Sequence, residues 1–184
     1  MFEQLLQSLA AELERQSIPY MVIGGQAVLL HGEPRLTRDI DVTLGVNAQR
    51  LPSLLDVIRS IGLSVRVDDP TGFVRQTMVL PCEQTSTGIR VDFIFSDSPY
   101  ESEAMTRVIR RRVGGSEVRY ASVEDLIIHK LVAGRPRDME DVRGVLLRNP
   151  DYDRAYVERW LKDFELTLGA PLRAALTDLE RGTG

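Results

Sequence analysis

Asp39, Ile40 and Asp41 set two carboxylates two positions apart, and the pair Gly24–Gly25 lies thirteen residues upstream of them. On a strand, residues two apart point to the same face. The two aspartates then stand side by side and repel unless a cation lies between them. The hard, oxygen-preferring ion that suits such a pair is Mg²⁺. An edge strand with a solvent face would also carry two aspartates. However, Ile40, Val42 and Leu44 alternate with Asp39, Asp41 and Thr43, which is the pattern of a half-buried strand. A third acid, Asp92, interrupts the apolar run Ile89–Phe95. So apolar a strand gives an unpartnered aspartate little support. It either pairs with an arginine or joins Asp39 and Asp41 from a neighbouring strand. In the second case the three acids make a two-metal phosphoryl or nucleotidyl transfer site.

The glycines point the same way. A strand ends at Gly24–Gly25 and a helix starts at once, so backbone N–H groups and the positive helix end can approach a phosphate, with Gln26 next in line. The same pair also serves an ordinary strand-to-helix turn. Arg35, Thr37 and Arg38 precede the acids. They either touch phosphates or, for Thr37, cap the loop.

These residues need a scaffold, and the pattern supplies one. Apolar residues at helical spacing predict helices over 2–16 and from Leu51 to Ile58. Strands are expected at 20–25, 39–44, around 63–67 and 78–82, at 89–95 and at 108–113, with a short helix over 99–106. Asp-Asp-Pro-Thr-Gly at 68–72 reads as a turn. After about residue 120 the pattern is helical throughout: Ser122 caps one helix, Gly134 ends it, and Pro136 starts the next. The expectation is a mixed α/β domain over 1–119 and a helical domain over 120–184. At 184 residues, 43% hydrophobic and 27% charged, the chain is globular in composition. No apolar run is long enough for a membrane helix. A single cysteine, Cys82, suits a cytoplasmic location. The net charge of −4 excludes a uniformly basic nucleic-acid-coating protein but not a local basic patch. Arg107, Arg110, Arg111, Arg112 and Arg119 form the most basic stretch. It reads as a solvated edge strand or as a contact for an RNA backbone.

Lys130 is one of only two lysines among 23 basic residues. It shares a helix face with Leu126 and Ala133, from which it could reach a triphosphate. Asp138 and Asp141 share a face of the following helix and could orient Lys130 or Arg135. The simpler alternative is a surface pair of Arg137 with Asp141. His31, closing a short helix, reads as a capping or surface residue.

Ile23-Gly24-Gly25, thirteen residues, then Asp39-Ile40-Asp41, with Asp92 further on, resembles the signature of the DNA polymerase β-like nucleotidyltransferase superfamily. Residues 129–142, with Lys130, Arg137, Asp138 and Asp141, are similar to later motifs of the AbiEii and MenT-like toxin nucleotidyltransferases. The resemblance implies a small mixed β-sheet flanked by helices and followed by a C-terminal helical domain, an α/β (α+β) fold. It implies transfer of a nucleoside monophosphate from an NTP such as ATP to a hydroxyl acceptor, with pyrophosphate released. Asp39, Asp41 and Asp92 would bind two Mg²⁺ ions, or Mn²⁺, with Asp92 also helping to deprotonate the acceptor. Lys130, with Arg135 or Arg137, would neutralise the triphosphate held at Gly24, Gly25 and Gln26. The acceptor implied is tRNA or a protein, with a cognate antitoxin as partner and no membrane association. Two alternatives stand beside it: a small-molecule acceptor of the aminoglycoside kind, and a catalytically inactive nucleotide-binding or interaction module.

Overall fold

The computed structural model describes residues 1–182. In chain order the elements are α1 (Phe2–Arg15), β1 (Tyr20–Ile23), α2 (Gly24–His31), β2 (Asp39–Leu44), a 3-10 turn (Ala48–Arg50), α3 (Leu51–Ser60), β3 (Leu63–Val65), α4 (Pro70–Thr77), β4 (Val79–Gln84), β5 (Ile89–Phe95), α5 (Pro99–Thr106), β6 (Ile109–Val113), β7 (Ser116–Tyr120), α6 (Val123–Ala133), α7 (Pro136–Arg148), α8 (Arg154–Leu168) and α9 (Leu172–Arg181). Among the described residues no helix is long and apolar enough to cross a membrane.

The chain forms two compact units. One comprises residues 1–23 and 37–120, the other 24–36 and 121–184. This differs from a single division near residue 119 in one segment: α2 and the residues after it group with the later helices.

The first unit holds the whole sheet, in the order β3-β4-β5-β2-β1-β7-β6. It is mixed. β2 runs parallel to β5 and β1 parallel to β7, while β1–β2, β3–β4, β4–β5 and β6–β7 are antiparallel. Ile40, Val42 and Leu44 of β2 and Val91, Phe93 and Phe95 of β5 are buried on one face. Leu5, Leu6, Leu9, Ala10 and Leu13 form the buried stripe of α1. Two elements differ from the pattern-based expectation. Asp69 caps α4 by accepting from the Gly72 N–H, with Pro70 in the first turn, so the acid-proline pair starts a helix rather than a turn. β7 pairs back on β6 across Gly114–Gly115, a two-residue hairpin.

In the second unit, Ser122 caps α6 and Gly134 ends it at a φ of +66°. The Ser122 hydroxyl accepts from the Asp125 N–H and donates to Asp125 Oδ2 at 2.7 Å. The Tyr156 hydroxyl donates to Asp125 Oδ1 at 2.8 Å. Asp125 is fully buried, and these bonds replace the water it has lost. His31 is a correction to its surface reading. It is buried, with Nε2 2.8 Å from the Ala121 carbonyl oxygen.

Candidate active site

In the first unit, β2 and β5 run side by side in the register Asp39↔Arg90, Asp41↔Asp92 and Thr43↔Ile94. Residues in register share a face, and so do residues two apart. Asp39, Asp41 and Asp92 therefore occupy one face, opposite the buried Ile40, Val42, Val91 and Phe93. Asp41 is flanked on its other side by Ile23 of β1. All three acids are half-buried. Burial, and then the nearby Asp39 carboxylate, push the Asp92 carboxyl above its ordinary value, partly offset by Arg66 and Arg90. Thr37 donates to the Asp39 carbonyl oxygen at 3.3 Å, which steadies the entry to β2, and Arg38 is exposed.

The donor chemistry of this face suits Mg²⁺. The oxygens are hard carboxylates, and the charge crowding is registered in Asp92. Among the described residues no three His, Cys, Asp or Glu side chains already gather around one point.

In the second unit, α2 begins at Gly24, whose φ of +60° lies where L side chains rarely go. Gly25 and Gln26 are buried in its first turn. The later candidates converge on one cluster. Lys130 Nζ lies 2.7 Å from Asp138 Oδ1 and 2.8 Å from Asp141 Oδ2. The three side chains are 7%, 2% and 4% exposed. Arg35 grips both Asp141 oxygens at 2.7 and 2.9 Å. Arg135 donates to Asp138 from Nε at 2.6 Å and from its backbone N–H at 3.2 Å. Burial by itself would raise both carboxyls. The hydrogen bonds to Arg135 and Lys130 at Asp138, and to Arg35 and Lys130 at Asp141, outweigh it and hold both below the ordinary aspartate range.

The Lys130 ammonium is thus taken up by two acids and not presented to solvent. Arg137 does not pair with Asp141. It is exposed and donates to the Leu36 carbonyl oxygen at 3.4 Å. Beside Arg35 and Asp141 is a cavity of about 490 Å³ that also meets Val28, Glu33, Glu140 and Leu147. Gly144 permits the approach, because a Cβ there would stand 3.0 Å from Glu33 Cγ. Sequence reasoning does not single out Glu33 and Glu140, since residues 107 positions apart carry no shared motif.

The profile of the nucleotidyl transferase AbiEii toxin family, described as belonging to type IV toxin-antitoxin systems, matches residues 4–181. The chain belongs to this family. It is therefore a nucleotidyltransferase. No curated protein matches it significantly. Solved structures agree on the fold. The antibiotic-resistance factor ANT(2'')-Ia superposes with a TM-score of 0.61 at 18% identity, covering 98% of this chain and 97% of the other. An antigenic nucleotidyltransferase-like protein from Paracoccidioides brasiliensis gives 0.54 at 17% identity, covering 95% and 91%. The lincosamide antibiotic adenylyltransferase LnuA gives 0.50 at 16%, covering 72% and 89%.

Proposed function

We propose that this AbiEii-family chain moves a nucleoside monophosphate from an NTP to a hydroxyl on tRNA or protein. The acceptor oxygen forms a bond to the α-phosphorus, the bond from that phosphorus to the β-bridging oxygen breaks, and pyrophosphate leaves. The observation that carries the reading is the register of Asp41 with Asp92 on parallel neighbouring strands, with Asp39 on the same face. Asp39, Asp41 and Asp92 would hold Mg²⁺, which when bound supplies charge neutralisation for the reacting phosphate oxygens. Asp92 takes the proton of the attacking hydroxyl. The N–H groups of the first turn of α2, opened by Gly24 and Gly25, bind phosphate. Arg35 adds positive charge, and Lys130 acts through Asp141 to fix it. Arg38 and Arg137, both exposed, are further phosphate contacts. The reaction takes place in the cytoplasm, with a cognate antitoxin as its restraint.

The test is incubation with each α-labelled NTP, Mg²⁺ and either total RNA or cell extract. Label passes to RNA or protein, with one NTP preferred, and Asp41→Asn loses more than tenfold of this transfer without a lower melting temperature. Label that never leaves the NTP, or a variant keeping more than about a tenth of the activity, overturns the reading, because a lost metal ligand costs several kcal/mol of transition-state stabilisation. A second reading, a small cationic acceptor, is favoured by Glu33 and Glu140 around the 490 Å³ cavity. Reactions with an aminoglycoside or a polyamine, read by chromatography of the small molecule, test it.

A further inference from the structure

β6 is the last strand of the sheet and pairs only with β7, so one of its backbone edges is open. It carries Arg110, Arg111 and Arg112 in succession, all exposed. The β6–β7 hairpin, residues 109–120, holds four arginines and one glutamate in a chain of net charge −4. The single carboxylate, Glu117, stands opposite Arg112 in register but is taken by Arg110 at 3.1 Å. Arg110 and Glu117 are each 58% exposed, so water screens their pair and another anion can displace it at little cost. Among the described residues Arg111 bonds only to its own neighbour, the Arg110 carbonyl oxygen, at 3.2 Å. Arg119 is held elsewhere, by Glu14 at 2.6 Å and over the Tyr20 ring.

Charged side chains guard sheet edges. Three consecutive arginines do more, because side chains alternate and the row covers both sides of the strand. Arg110 and Arg112 lie about 6.8 Å apart along it, on the scale of successive phosphates in an extended chain. Arg110 also borders a cavity of about 310 Å³ lined by Ala10, Ala11, Glu14, Ser116, Glu117 and Arg119.

We propose that the β6 edge is a docking surface for the phosphate backbone of single-stranded RNA. This deepens the proposed function and rests on its nucleic-acid acceptor. The row binds a single-stranded segment of the RNA, through charge and not through sequence.

The experiment uses the full chain without NTP and a fluorescein-labelled 20-nucleotide single-stranded RNA of mixed sequence, with anisotropy read from 50 to 200 mM KCl. Every phosphate that a single strand no longer places against a basic side chain takes about 0.7 from the slope of log affinity against log salt. The variant Arg110→Ser/Arg112→Ser therefore lowers the slope by about 1.4. The ratio of affinities at 50 and 200 mM shrinks about sevenfold. Arg75→Ser/Arg143→Ser, two exposed arginines elsewhere, makes the same change in net charge and leaves the slope unchanged. An unchanged slope in the β6 variant, or an equal drop in the control, overturns the proposal. So does self-association by light scattering with RNA binding retained, which would make the row an edge guard. Label transfer is followed in separate reactions with Asp41→Asn, so a failure here leaves the transfer chemistry standing.

Discussion

Replacing Lys130 by methionine tests how the cluster on α6 and α7 is held. The ammonium makes close contacts of 2.7 and 2.8 Å to two carboxylates that are almost without solvent. Interactions of this charged kind contribute about 1.5–3 kcal/mol each. Methionine keeps the apolar stem packed and recovers part of that, and each acid retains an arginine. Those arginines are unequal. Arg35 holds Asp141 by a two-pronged contact, whereas Arg135 is 73% exposed and its pair with Asp138 is screened. The expected cost is about 3 kcal/mol, at the lower end of the penalty of about 3–5 kcal/mol for leaving a buried charge alone. For a chain of this size that is a fall of about 6–12 °C in Tm, read by circular dichroism. Asp138→Asn costs a similar amount. The double variant costs about 1–2 kcal/mol less than the sum, since the two share one interaction. The pH sign comes from the lowered carboxyls. Their contribution is complete above the ordinary aspartate value of 3.8 and fades as pH falls below it through the folded-state values. Wild type and Lys130→Met therefore converge in stability below that pH. A loss under about 1 kcal/mol at pH 7, or strict additivity in the double variant, refutes the reasoning.

Three further outcomes are expected. Asp92→Asn raises the denaturant midpoint at pH 7. Its carboxyl is pushed up, so ionisation costs stability at neutral pH, and the wild type regains that stability as pH falls towards 3.8; a lower midpoint for the variant counts against the crowded carboxylate face. Gly24→Val loses about 1–2 kcal/mol from the +60° backbone angle alone, and calorimetry showing no loss means the turn relaxes to another conformation. Tyr156→Phe removes the hydroxyl that donates to buried Asp125 and costs about 1.5–3 kcal/mol in urea unfolding; a neutral result would mean water replaces it.

The carboxylate strands were legible because burial on one face writes its period into the chain. Ile40, Val42 and Leu44 had to alternate with Asp39 and Asp41, and the structure buries them accordingly. The interval between Asp138 and Asp141 likewise announced a shared helix face. What they face was not legible. Arg35 lies 106 positions before Asp141, and no local pattern records a partner brought in by tertiary folding. The same applies to His31, whose bond to the Ala121 carbonyl spans 90 positions. α4 escapes the sequence pattern for another reason. Asp-Asp-Pro serves a turn and a helix start equally well, and the packing of Val74, which the fold buries, decides between them.

The second unit takes residues 24–36 from deep inside the first stretch of chain. During synthesis α2 therefore leaves the ribosome about 85 residues before Ala121 emerges. At roughly 5–20 residues per second that is a wait of about 4–17 s. Through that interval Ala27 and Val28, which the finished fold buries, have no late helices to cover them, and Arg35 has no Asp141. A gene fragment starting at residue 121 would encode helices permanently short of this piece. Supplying residues 24–36 in trans as a peptide would then be complementation of one folding unit by its own missing segment.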